Sequence, residues 1–315
     1  MSEEAPKTYL ALPPPAVPAV YKQPDAPNAE QMAMYDQVLE HFSQTEYVLP
    51  GVEQDGHLVD REKLWLRLED TLKWRREFGV YDTLSAELVE PEAVTGKEIL
   101  FGYDKERRPG FYMIPSRQNT DEATRQVQFA VWMLERAVDL MGPGVEKMDL
   151  LIDFAEKAKN PSIGTARTVL NILQSHYPER LGLALILNIP WLITMFLKAM
   201  MPFVDPVTRL KIKLNPKVSV SLLRVHTDAE RFRYVQVIEE NIFEPEMIFA
   251  KSWGGAVDFE YEHDKYWPSL VGMCDARRAE QMQRWKELGA TIGAKEWEIK
   301  GGLSSAVADA EKLVA

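Results

Sequence analysis

Cysteine is nearly absent from this 315-residue chain. The single Cys274 excludes an internal disulfide framework and any multi-cysteine zinc or iron–sulfur site. Histidine is scarce too: the five copies, His41, His57, His176, His226 and His263, form no H-x-x-x-H pair, and no metal site is expected. Glycine-rich phosphate loops of the G-x-x-x-x-G-K-[ST] and G-x-G-x-x-G kinds are missing, as is a G-x-S-x-G nucleophile elbow. Neither nucleotide-driven nor serine-hydrolase chemistry has a motif to rest on, so the chain is read as non-catalytic, with no catalytic residue and no cofactor. The longest apolar run, residues 183–197, is interrupted by Asn188 and Pro190 and falls short of the roughly 20 residues a membrane-crossing helix needs. Basic charge is in deficit, 37 Lys and Arg against 48 Asp and Glu, and a net charge of −11 gives no global attraction to nucleic acid. The opening Met1-Ser2-Glu3-Glu4 has neither a basic stretch nor an apolar one, so a cytoplasmic chain is expected.

What is present divides into four parts. Residues 1–30 hold seven prolines, three of them consecutive (Pro13, Pro14, Pro15), and read as a disordered tail. Residues 31–80 turn helical. Leu64, Trp65, Leu68 and Leu72 recur at helical spacing opposite Arg67, Glu69, Asp70, Lys73, Arg75 and Arg76, and Gly79 stands where a helix ends. Residues 90–270 alternate short continuous apolar runs (98–103, 110–114, 148–154, 183–189) with helical patterns (127–141, 163–177). That alternation predicts an α/β domain with a sheet covered on both faces. Residues 271–315 are rich in alanine and charge and predict a C-terminal helical tail, in which Cys274 is a bystander thiol. His176, at a helix end beside Tyr177, is read as structural. Acid pairs such as Asp149 and Asp153 are expected to be solvated or hydrogen-bonded.

One segment resists a surface placement. From Pro190 to Met201 the residues Trp191, Leu192, Ile193, Met195, Phe196, Leu197, Met200 and Met201 point all around a helix, with only Thr194 and Lys198 as polar relief. At about 1.5–3 kcal/mol per side chain, exposure of eight such groups would cost on the order of 12–24 kcal/mol. Something apolar must cover the segment, and two readings stay open: a core helix, or a lid between a bound apolar ligand and a membrane. A hydroxyl and cations follow at once (Thr208, Arg209, Lys211, Lys213), which suits a ligand with an apolar tail and an anionic head.

The same stretch carries a family resemblance. His176-Tyr177-Pro178-Glu179-Arg180-Leu181-Gly182, then Asn188-Ile189-Pro190, then Pro202-Phe203-Val204-Asp205-Pro206-Val207-Thr208 resemble the signature of the CRAL-TRIO lipid-binding domain, closest to fungal phosphatidylinositol transfer proteins. Thr71-Leu72-Lys73-Trp74-Arg75-Arg76-Glu77-Phe78-Gly79 resembles the end of the helical module that precedes the domain, and Trp253-Gly254-Gly255 its closing motif. The resemblance implies an apolar cavity floored by the sheet, with a gate helix over its mouth that falls here on Trp191, Leu192, Met195, Phe196 and Met200. It implies that phosphatidylinositol is the ligand and that its head group meets Glu179, Thr208 and Lys211. It further implies transient contact with phospholipid membranes, a monomer, no nucleic-acid partner, and room for a second lipid or a sterol. A protein that senses lipid without transferring it is the alternative.

Two departures from the family pattern stand out. The module at 31–80 lacks the arginine-rich helix expected before the K-W-R-R-E helix and reads as truncated, so one basic contact to the head group is expected to be missing. Residues 218–236 have no family counterpart, and their removal joins Lys217 to Val237 in continuous family sequence. These 19 residues correspond to 57 nucleotides, open on Val-Ser, which GTNAGY encodes, and close on Gln, which CAG encodes. A retained intron is the expectation: cDNA read across codons 217–237 should lack the 57 nucleotides, and a transcript that keeps them overturns it.

Overall fold

The computed structural model describes residues 7–16, 26–47, 64–155, 163–191, 193–195, 201, 206–214 and 242–302. Residues 218–236 and the gate positions Leu192, Phe196 and Met200 lie outside this set. The helical module contributes α1 (Ala29–Phe42), opened by a reciprocal capping box between Asn28 and Gln31, and α2 (Leu64–Glu77). Gly79 follows α2 with φ of 76°, the left-handed position that glycine fills without strain. Next come α3 (Ala86–Ala93), β1 (Glu98–Tyr103), β2 (Pro109–Met113), α4 (Ala123–Leu140), β3 (Met148–Asp153), α5 (Ile163–His176) and β4 (Leu181–Leu187). A short α6 (Pro206–Lys211) runs directly into β5 (Ile212–Leu214), and α7 (His263–Glu287) and α8 (Glu296–Ile299) close the fold.

The five strands form one sheet in sequence order, with β1 antiparallel to β2 and the remaining pairs parallel. Because strand side chains alternate, register assigns each residue a face. Glu98, Met113, Ile152, Ile186 and Leu214 form one row across the sheet, and Leu100, Phe111, Leu150, Ala184 and Ile212 form a second row on the same face. Ile99, Tyr112, Leu151, Leu185 and Lys213 occupy the opposite face. β1 is an edge strand whose Leu100 N–H and C=O would otherwise be orphaned. The Tyr266 hydroxyl on α7 accepts from the first at 2.7 Å and donates to the second at 2.8 Å, closing the edge.

The structure revises the expected parts at both ends. Residues 7–12 are docked rather than unpartnered. Thr8 exchanges backbone hydrogen bonds with Asp258 and Glu260, Ala11 is buried, and the Tyr103 hydroxyl donates to the Leu12 carbonyl at 3.1 Å. The boundary expected at residue 270 falls inside α7. Tyr266, Trp267, Leu270 and Cys274 on that helix are all buried, with Trp267 packed on Trp132 at a centroid distance of 4.7 Å. Cys274 therefore belongs to the core and not to an outer tail, and burial pushes its thiol up to about 12. Asp149 is fully buried rather than solvated, and burial with the neighbouring Asp104 raises its pKa.

Glu98 gives this fold a measurable pH dependence. Burial, with the charge of Glu92 opposing that of Lys97, pushes its carboxyl from 4.5 up to about 8. Between those values the folded chain holds a proton that the unfolded chain has released, so stability falls as pH rises from about 4.5 to about 8. Glu98→Gln is expected to flatten that decline in urea midpoints measured across the range. A variant with an unchanged slope would remove Glu98 from the linkage.

Candidate functional site

The parallel strands β3, β4 and β5 begin at one end of the sheet, and the sequence-predicted head-group residues collect there. Glu179 sits in the turn between α5 and β4 with φ of 57°, a left-handed conformation unusual for a residue with a Cβ. That turn is followed at once by β4, and α6 is followed at once by β5, so the parallel pairing of β4 with β5 brings the two connections together. Lys211, the last residue of α6, donates from Nζ to Glu179 Oε2 at 2.9 Å. The lysine side chain is 15% exposed and the glutamate 66%. Thr208 lies one helical turn upstream of Lys211 on the same face of α6, whereas Val207 and the 84%-exposed Leu210 occupy the other. Lys213 points to the sheet face opposite Ile212 and Leu214, which separates it from the expected cation cluster.

An exposed ion pair of this kind contributes little by itself, about 0–1 kcal/mol. It holds the Lys211 ammonium in place against a largely solvated glutamate. Lys211 is thus a positioned, half-buried cation beside a hydroxyl.

The sheet surface next to this end is apolar. Ile152, Ala184, Ile186, Ile212 and Leu214 share one face, on which Ala184 and Ile186 are buried. At the far end of β4, Asn188 takes a φ of 53° and its side-chain amide donates to Asp153 Oδ1 at 2.7 Å. Ala155 N–H donates to the same oxygen, so Asp153 is hydrogen-bonded as expected. This fixed corner directs the chain into Pro190 and the helical turn behind it, whose Thr194 N–H donates to the Pro190 carbonyl. Trp191 and Met195 on that turn are 76% and 60% exposed. Among the described residues, no helix is long and apolar enough to cross a membrane.

Sequence reasoning missed the network that supports the Glu179 turn. Arg75 on α2 grips Glu135 on α4 with two hydrogen bonds of 2.8 Å, and the Tyr177 hydroxyl donates to Glu135 Oε1 at 2.6 Å. His176 stacks flat on Trp74 with centroids 4.2 Å apart, its Nδ1 lies 3.3 Å from the Thr71 hydroxyl, and burial lowers its pKa. Arg75, Glu135, His176 and Tyr177 line a cleft of about 460 Å³ that also includes Glu146, Arg180 and Glu296. The K-W-R-R and Y-P-E-R motifs were visible in the sequence, but their partner Glu135 lies on a third element with no motif of its own.

Comparison with known proteins agrees with this architecture. The CRAL/TRIO domain model matches residues 93–233. The chain is 39% identical over 299 residues to the CRAL-TRIO domain-containing protein C23B6.04c of Schizosaccharomyces pombe, an alignment covering 87% of this chain and 27% of that one. It is 34% identical over 315 residues to the phosphatidylinositol transfer protein PDR17 of Saccharomyces cerevisiae, covering 86% and 84% of the two chains. A SEC14 cytosolic factor of Kluyveromyces lactis is 29% identical over 178 residues, 49% of this chain and 58% of that one. The chain thus spans about a quarter of the fission-yeast relative and most of PDR17, and it belongs to the CRAL/TRIO domain family.

Proposed function

We propose that this protein binds phosphatidylinositol and transfers it between membranes without catalysing a reaction. The observation that carries the reading is the half-buried Lys211 ammonium, held 2.9 Å from an exposed glutamate beside Thr208, at the edge of an apolar sheet face. The relative PDR17, named as a phosphatidylinositol transfer protein and aligned over 84% of its length, supports it. In this reading the acyl chains lie on the face of Ile152, Ala184, Ile186, Ile212 and Leu214, and the inositol phosphate meets Thr208 and Lys211 while Glu179 gives way. Trp191, Leu192, Met195, Phe196 and Met200 act as the gate. At a membrane surface the gate opens, one lipid leaves, another enters, and the gate closes. Exposure of Trp191 and Met195 fits a gate that contacts lipid on its outer side.

The test is the lipid that copurifies with the chain, read by native and denaturing mass spectrometry. Phosphatidylinositol at near one per chain is expected. A folded chain that carries no phospholipid, and takes none from vesicles, overturns the proposal. Lipid capture without movement between donor and acceptor vesicles would identify a lipid sensor instead.

A further inference from the structure

Two buried carboxyl groups stand behind the Glu179 turn, and nothing in the function proposed above uses them. Asp149, near the start of β3, is fully buried, and Asp104, the residue after β1, is 7% exposed. Their side chains hydrogen-bond to each other. Two carboxylates cannot do so, because each only accepts, so the contact requires one proton between them. Asp104 is the anion of the pair: its Oδ1 accepts from the Arg108 N–H at 2.7 Å, and its Oδ2 lies 3.6 Å from the Arg108 guanidinium. Asp149 is the neutral donor, its carboxyl pushed up to about 8 by burial and by the charge of Asp104.

The pair is packed against the turn that carries Glu179. Register pairs Met148 with Leu181 but Asp149 with Leu183, so Gly182 is skipped as the extra residue of a bulge. A Cβ on Gly182 would lie 2.5 Å from Asp149 Oδ1 and 2.8 Å from Arg108 Cδ, so the missing side chain is the space that the cluster occupies. On the other side of the bulge, the Met148 N–H donates to the Arg180 carbonyl at 2.9 Å, one residue after Glu179. The charged groups that face Asp149 come from the β1–β2 connection: Asp104 and Arg108, with Glu106 beside Asp104. Its register partners Gly110 and Leu183 carry no charge, and Arg180 is turned to the Glu146 carbonyl at 3.0 Å. With Asp149 ionised, two carboxylates would share a dry site with the single Arg108 guanidinium, which Glu106 also holds. The bulge at Gly182 is where the backbone can yield to that repulsion.

We propose that Asp149 is a positioning residue for lipid transfer: its proton joins it to Asp104, fixes the Gly182 bulge and so sets the Glu179 turn against Lys211, and loss of that proton in mildly alkaline solution frees the turn and slows transfer. The transfer step rests on the phosphatidylinositol reading above, whereas the carboxyl latch is a property of the fold.

Full-length protein is assayed from about pH 6.5 to about pH 9 in two ways. One is phosphatidylinositol transfer between donor and acceptor vesicles; the other is hydrogen exchange of the backbone amides of residues 179–187, corrected for the intrinsic rate at each pH. In the parent, transfer should fall about tenfold between pH 7 and pH 9, the factor by which a carboxyl titrating near 8 loses its protonated form, and protection of 179–187 should fall with it. Asp149→Asn keeps the size and an N–H donor for Asp104 but cannot ionise, so both readouts should match the parent at pH 7 and stay flat. Glu98→Gln, which removes the other carboxyl that titrates near 8, should follow the parent. A flat exchange profile in the parent overturns the inference, as does an Asp149→Asn protein that tracks the parent. Exchange that responds while transfer stays constant overturns the link to the site. Exchange that responds with no transfer at any pH supports the latch and overturns the transfer reading alone.

Discussion

Lys211→Ala is expected to reduce phosphatidylinositol transfer between vesicles by about tenfold to a hundredfold, the range that loss of one charge-assisted hydrogen bond of about 1.5–3 kcal/mol provides. Stability should change by less than about 0.5 kcal/mol, because the partner of Lys211 among the described residues is a largely exposed glutamate. The two readouts separate binding from folding. Lys211→Arg restores the charge but not the compact ammonium, so partial recovery is expected. Glu179→Gln frees Lys211 from its ion pair, and a transfer rate equal to or above that of the parent is expected if the glutamate only holds the lysine until phosphate arrives. Unchanged transfer in Lys211→Ala would remove this residue from the site and leave the Lys211–Glu179 pair as a surface ion pair without consequence.

Local signals were the legible ones. The runs at 98–103 and 148–154 became β1 and β3 almost residue for residue, since continuous apolar strands bounded by charge or proline have few other homes. Thr208 and Lys211 were expected from the family resemblance, and the structure adds that a parallel β4–β5 pairing brings Lys211 to Glu179, 32 residues away. What escaped the sequence is pairing across distance. Proline content marked residues 1–30 as a disordered tail, yet residues 7–12 dock because residues 258–260 offer backbone partners that composition cannot reveal. The tail after residue 270 looked polar on average, yet the buried residues of α7 are confined to its first half, where Tyr266, Trp267, Leu270 and Cys274 pack inward. A window average over the whole segment dilutes that stripe. Register escaped as well: that Glu98 shares a face with Ile152 and Ile186 depends on three successive strand pairings, none encoded within β1.

Glu135→Ala should be the most destabilising change at the junction between the helical module and the sheet domain. Burial alone would raise the Glu135 pKa, but the two hydrogen bonds and the charge of Arg75, with the Tyr177 hydroxyl, outweigh it and hold the carboxyl below its ordinary value. Removing the carboxylate leaves the Arg75 guanidinium, 20% exposed, with the Tyr81 hydroxyl at 2.8 Å, and strips the Tyr177 hydroxyl of its acceptor. Breaking a buried pair from one side costs about 3–5 kcal/mol, and the residual exposure of both partners places the expected loss near the lower figure. Glu135→Gln keeps an acceptor for one of the two donors and should lose about half as much. The sign of the pH effect follows from the depressed pKa. The contribution of Glu135 is fully present above its unfolded pKa and is lost as pH falls through the folded one, so the gap between parent and Glu135→Ala should be widest near pH 7 and close in acid. Urea midpoints at pH 7 and pH 4 read both effects, and a gap that stays constant would show that packing, not the ion pair, sets the cost. Because Tyr177 lies two residues before Glu179, the same variant should also loosen the turn that positions Lys211. Phosphatidylinositol transfer should then fall in Glu135→Ala even under conditions where the chain remains folded, and fall less in Glu135→Gln.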